Sequence, residues 1–177
     1  MHIVYHQEGE VALFRVIHID RGSIYRGDGV VGQPARWIGG PPQEGADPEV
    51  VLGALLERAA EEGYATLPQD TLMIQQALEG WGSDEDLRRR HTIESLLTNA
   101  LLSLGFGTID GGDIGSGKMT VFASVIRPEQ AAECCVSALR EAKLLDGVVI
   151  VAAPPEDDAE HVAFWPPDYD PGDFSIL

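Results

Sequence analysis

The chain is short of cations. Its 177 residues include 12 Lys and Arg against 29 Asp and Glu, a formal charge of -17. A field of that sign repels nucleic acid and anionic lipid at long range and favours basic partners. Cysteine is scarcer still, and the two present, Cys134 and Cys135, are neighbours within a helical pattern. Adjacent side chains on a helix diverge, so the pair closes no disulfide framework, and its spacing is not that of metal ligands. No apolar run approaches the ~18 residues of a membrane span. The opening residues, Met1-His-Ile-Val-Tyr-His-Gln-Glu8, have neither a basic flank nor a long apolar core, which argues against a signal peptide. The five histidines, at 2, 6, 18, 91 and 161, lack His-Glu-x-x-His and zinc-finger spacing. These shortages lead to the expectation of a cytoplasmic chain with no cofactor, no metal and no membrane partner. The apolar share of 44% is nevertheless ordinary, so a packed core is expected and wholesale disorder is not.

What the chain has in plenty is glycine, and two glycine-rich stretches imitate nucleotide-binding motifs. From Gly112 the sequence reads Gly-x-x-x-x-Gly117-Lys118, but Met119 follows where a phosphate loop places a hydroxyl. Thr120 to Ile126 then alternates with β-branched residues and predicts a strand, not the helix whose N-terminus would hold phosphate. The stretch therefore reads as a glycine-rich hairpin between strands at about 106–112 and 118–126. Likewise Gly27-x-Gly29-x-x-Gly32 has the dinucleotide-binding spacing, yet Gln33-Pro34 and Gly39-Gly-Pro-Pro42 break any helix after it. That stretch is predicted to be a β turn.

The first half, residues 1–66, holds a strand at Val11–Ile19, a turn at Asp20-Arg-Gly-Ser23 and a return strand from Ile24. Asp47-Pro48-Glu49 supplies an N-cap, a proline at the first helical position and an early carboxylate. The helix buries Leu52, Leu55, Leu56 and Ala59 and ends at Gly63, with Tyr64 turned back to the sheet. Phe14-Arg-Val-Ile17, Arg26-Gly27, Gly32-Gln33 and Glu61-Glu-Gly-Tyr64 in this order resemble the WGR domain of poly(ADP-ribose) polymerases and bacterial regulators. The Trp-Gly-Arg tripeptide itself is absent, and Asp28 stands near the family's Arg. The resemblance implies a small β-sheet with one helix and, in the relatives that contact DNA, a basic and aromatic face. Such a face here would gather Arg15, Arg21, Arg26 and Arg36.

Residues 67–177 form the second half. Thr71–Leu78 is read as a strand, Gly80-Trp81-Gly82 breaks the chain, and Ser83-Asp84-Glu85-Asp86 is a capping box. Arg88-Arg89-Arg90, the one basic cluster, is read as a solvated helical face. Ile93, Leu96, Leu97, Ala100, Leu101 and Leu104 repeat at helical steps. Pro128-Glu129 opens another helix, burying Ala132, Cys135, Val136 and Leu139, and Val148–Ala153 is an apolar strand. The order β-α-β-β-α-β predicts a ferredoxin-like sandwich, so the fold class is α+β throughout. Beyond Pro154 come Glu156, Asp157, Asp158, Glu160, Asp168, Asp170 and Asp173 without a Lys or Arg, interleaved with Phe164, Trp165, Tyr169 and Phe174. Val162–Trp165 suits an edge strand. The rings either pack over the sheet or, with Glu156, Asp157, Asp158, Trp165, Asp168 and Tyr169, form a surface for a basic protein.

Any chemistry belongs to the loop holding Asp110, Asp113, Ser116 and Lys118, although aspartate in a glycine-rich turn more commonly shapes the turn. Gly115-Ser116-Gly117 lacks the flanking glycines of a nucleophile elbow. The leading expectation is a non-catalytic, acidic protein-binding module of the immunity or antitoxin type. Nucleic-acid association through the WGR-like half, and a small enzyme using the 110–118 loop, are the alternatives.

Overall fold

The computed structural model describes residues 1–153 and 160–175. It divides into two compact units, Met1–Leu67 with Leu102–Gly105, and Pro68–Leu101 with Phe106–Leu177. In the first unit β1 (His2–Glu8), β2 (Val11–Asp20), β3 (Ser23–Val30) and β4 (Arg36–Gly40) form an antiparallel meander in sequence order. Arg21 and Gly22 turn β2 into β3 with φ of 49° and 79°, the left-handed pair that suits the twist of a two-residue hairpin. α1 (Pro48–Glu61) begins as its sequence dictates, with the Asp47 side chain accepting from the Glu49 N–H and Pro48 in the first turn. Leu52 docks on Ile17 and Ile24, with Leu55 and Leu56 packed around them. The last turn of α2 (Asp84–Leu104) belongs to this unit. Gly32 and Ala35 donate backbone N–H groups to Leu104 and Ser103, satisfying carbonyls that a helix end leaves open.

Two strands escape the sequence pattern, and one turn is misread. β1 buries Tyr5 but otherwise carries exposed or half-exposed residues, and β4 is an exposed edge with two glycines. Gly27 and Gly29 lie inside β3 and not in a turn. A Cβ on Gly29 would stand 2.7 Å from the Phe14 ring, and one on Gly27 would stand 3.0 Å from the indole of Trp37. These glycines are seats for aromatic rings, and only Gly32, with φ of 89°, serves the loop that follows.

The second unit is the predicted βαββαβ arrangement. β5 (Asp70–Ala77), α2, β6 (Gly107–Gly115), β7 (Lys118–Val125), α3 (Pro128–Glu141) and β8 (Val148–Ala153) follow one another, and β9 (Val162–Trp165) joins the outer edge of β8. The sheet order is β6-β7-β5-β8-β9 with every pair antiparallel. Counting β5 to β8 as first to fourth, this is the 4-1-3-2 order of a ferredoxin-like sandwich. Right-handed crossovers place both helices on one face. Ser83 and Asp86 close the predicted capping box reciprocally, with the Ser83 N–H on the Asp86 carboxylate at 2.8 Å and the Asp86 N–H on Ser83 Oγ at 3.2 Å. Ser116 and Gly117 form the β6–β7 turn with φ of 49° and 78°. The strands therefore run further than the sequence suggests, and the loop shrinks to two residues.

Gly29→Ala is expected to destabilise the first unit by about 1–3 kcal/mol, because the fully buried Phe14 ring has no room to retreat. Gly53→Ala, mid-helix with nothing near the added methyl, is expected to stabilise by up to ~1 kcal/mol. Denaturant titration of both variants checks the opposite signs.

Candidate functional site

The densest polar constellation is in the first unit, around Arg15. This β2 side chain is 9% exposed. Its Nε donates to Asp28 at 2.6 Å and its Nη1 to Glu62 at 2.6 Å, while its guanidinium lies 4.5 Å from the Tyr64 ring centre. Arg26 pairs with the other oxygen of Asp28 at 2.7 Å, and Arg58 with the other oxygen of Glu62 at 3.0 Å. Tyr64 is held in turn against His6, whose Nδ1 donates to the Gly63 carbonyl at 2.9 Å. Two of the four arginines expected on a DNA-binding face, Arg15 and Arg26, are thus directed at carboxylates. Asp28 is the residue that joins Arg15 to Arg26.

On the opposite face of the same sheet His18 stacks on Tyr25, with ring centres 5.2 Å apart, and meets Trp37 edge-on. Burial lowers the pKa of His18, which suits a half-buried strand histidine. No sequence pattern points to this trio, because its members come from three strands.

The predicted loop quartet does not converge into one site. Asp110 occupies a β-bulge between Ile109 and Gly111 and accepts from Ser124 Oγ. Lys118 is paired with Gly115, several rungs further along the ladder, roughly 15 Å from the bulge at the ordinary strand rise. Asp113 accepts from the next backbone N–H, that of Ile114, and so shapes the backbone. Ser116 is the exposed turn residue. Lys118 Nζ donates to Ser175 Oγ at 2.6 Å and to the Ser175 carbonyl at 3.2 Å. Among the described residues no three of His, Cys, Asp and Glu come together as a metal site. Both cysteines are buried in part or whole, and burial raises their thiol pKa values, the reverse of a nucleophile.

Of the predicted interaction surface, Glu156, Asp157 and Asp158 lie outside the described residues. Asp168 is exposed. Tyr169 turns inward, packing with Phe174 over Met73 and Val151 on the sheet face away from the helices. Beneath them Gln75 Nε2 donates to Thr120 Oγ1 and to the Ser175 carbonyl. The segment after β9 therefore runs back across the sheet, and its rings serve packing. Trp165 faces α3, where the Arg140 guanidinium lies 5.6 Å from its ring centre. Between them is a hollow of about 350 Å³ floored by Val136, Phe164 and Pro167, with Glu129 and Glu133 on its rim.

The most exposed large apolar side chain among the described residues has no such explanation. Trp81, read in the sequence only as part of a chain break, is 83% exposed on the loop between β5 and α2. A clue was present in the sequence: an indole flanked by glycines, followed by three acids, has no periodic neighbour to bury it. Comparison with known proteins finds no matching family model, no matching curated protein and no matching solved structure. Among the described residues no helix is long and apolar enough to cross a membrane.

Hydrogen bonds from Arg15 and then Arg58 hold the Glu62 carboxyl below its ordinary value of 4.5. A carboxyl depressed by folding contributes stability that is complete above that ordinary value and is lost as pH falls through the folded value. Melting temperature is therefore expected to drop on acidification below about pH 4.5, and Glu62→Gln to flatten part of that drop. Parallel pH profiles for the two proteins in calorimetry would contradict this. Arg15→Met leaves Asp28 and Glu62 without their shared cation and is expected to cost about 1–3 kcal/mol, less than a fully buried pair because both acids are partly solvated.

Proposed function

We propose that this is a non-catalytic, cytoplasmic binding module that engages a basic protein, in the manner of an immunity protein or antitoxin masking its target. The observation that carries the reading is where the cations go. Arg15, Arg26, Arg58 and Arg90 are ion-paired with acids of the same chain, and Arg140 lies over Trp165. With 12 cations against 29 acids, the carboxylates left over define the surface field. Such a field accelerates encounter with a basic partner and is screened by salt.

The WGR-like resemblance enters this reading as a scaffold. Asp28 and Glu62 neutralise Arg15 and Arg26, the inner part of the face that would meet DNA phosphate. The enzyme reading has no support from the scattered positions of Asp110, Asp113, Ser116 and Lys118.

Association with a basic partner is expected to slow by about tenfold or more as salt rises from ~50 to ~500 mM, measured by stopped-flow or surface plasmon resonance. Nicked or blunt-ended DNA is expected to give no gel-shift complex at low salt. A partner bound equally fast at both salt concentrations, or a stable DNA complex, would defeat the reading.

A further inference from the structure

We propose that Trp81 is the anchor of the binding surface, inserted into an indole-sized pocket on the basic partner that is edged by Lys or Arg. This rests on the reading of the protein as an acidic binding module and specifies which part of it makes contact.

The first observation is exposure. A tryptophan is the side chain most often found at the energetic centre of an interface, and leaving one in water forgoes a large apolar burial. Trp81 is 83% exposed, whereas Trp37 lies over Gly27 and Trp165 lies against Arg140.

The second observation is that the loop holding Trp81 is fixed on both sides. Gly80 and Gly82 have φ of 82° and 97°, a backbone that other residues rarely adopt. Gly82 is wedged against the side chain of Ile114, so any Cβ there would collide with it. Just before the loop, the Leu78 N–H donates to the Gly117 carbonyl at 2.8 Å. Just after it, Ser83 and Asp86 lock the start of α2, with Ser83 Oγ donating to the carboxylate at 2.7 Å. An indole projected from a preorganised loop loses little conformational freedom on docking.

The third observation is charge. From residue 68 to residue 87 the chain contains no Lys or Arg, and Glu79, Asp84 and Glu85 are exposed within four residues of Trp81 in sequence. Arg88, Arg89 and Arg90 follow on α2, where Arg90 is ion-paired with Glu94. Next to them a polar hollow of about 390 Å³ is lined by Gln76, Glu79, Asp86 and Arg89, where acids outnumber the single cation. Leu87, 41% exposed one turn into α2, adds apolar area. An apolar knob on an acid-rich loop fits a partner with an apolar pocket edged by basic residues, and it disfavours nucleic acid, lipid headgroups and a second copy of this acidic chain.

The test uses the full chain as bait in the cells that make it. The basic protein it captures is purified and titrated by calorimetry at ~50 and ~300 mM salt against wild type, Trp81→Ala, Trp81→Phe, Glu79→Lys/Glu85→Lys and Val50→Ala. Val50, exposed on α1, is the control for an apolar surface residue. Trp81→Ala is expected to weaken binding about 30-fold or more with its salt slope unchanged. Trp81→Phe should recover most of the loss, the charge reversal should weaken binding and flatten the slope, and Val50→Ala should match wild type. Equal affinity for wild type and Trp81→Ala, with the charge reversal still damaging, overturns the anchor and leaves the acidic module standing. Affinity indifferent to salt and to the charge reversal, or capture of no basic protein, overturns both. Because Trp81 is 83% exposed, Trp81→Ala is expected to leave the melting curve unchanged, which separates an effect on binding from one on folding.

Discussion

A guanidinium nearly excluded from water has to be met by anions, and in the first unit two acids from distant parts of the chain meet Arg15. Asp28 comes from the next strand and Glu62 from the end of α1, so one side chain ties sheet to helix in a geometry that neither hydrophobic cluster specifies. Removing the cation would leave each carboxylate with only its outer arginine, while removing either acid would leave a buried charge half-compensated. The consequence extends to the surface. Because Arg26 and Arg58 are drawn to the outer oxygens of the same two acids, the cluster collects cationic charge within the unit.

The second unit meets a different requirement. A four-stranded ferredoxin-like sheet with helices on one face leaves the other face to water, and here that face carries Met73, Phe122 and Val151. Tyr169 and Phe174 cover these residues, and Ser175 accepts from Gln75 and Lys118, so the last described residues act as a lid on the sheet. This removes the flat, open sheet surface on which some proteins of this architecture stack nucleic-acid bases.

Much of this was legible from local chemistry. Asp47-Pro48 and Ser83 to Asp86 specify helix starts by hydrogen bonding alone, and the structure places both helices there. The apolar periodicities of α2 and α3 and the alternation of β7 fix which face is buried, and with the crossover rule they yield the βαββαβ order. Legibility failed where a residue's neighbours are far away in sequence. Gly27 and Gly29 resemble turn residues until Trp37 and Phe14 are seen lying over them. β1 and β4 are strands because β2 and β3 offer them hydrogen bonds, and their own patterns are weak. The loop quartet looked compact along the chain, yet hairpin extension spreads Asp110 and Lys118 along a ladder. Arg15 looked like a surface cation because the acids that hold it, at positions 28 and 62, follow no short-range rule.

The three tryptophans divide the molecule in a way useful to spectroscopists. Trp37 rests on the backbone of β3 beside His18, Trp81 stands in bulk solvent, and Trp165 lies under a guanidinium. Three indoles in three polarities should emit at three wavelengths, so single-tryptophan versions of the chain would let intrinsic fluorescence follow the meander, the loop tip and the outer strand separately, with no extrinsic dye.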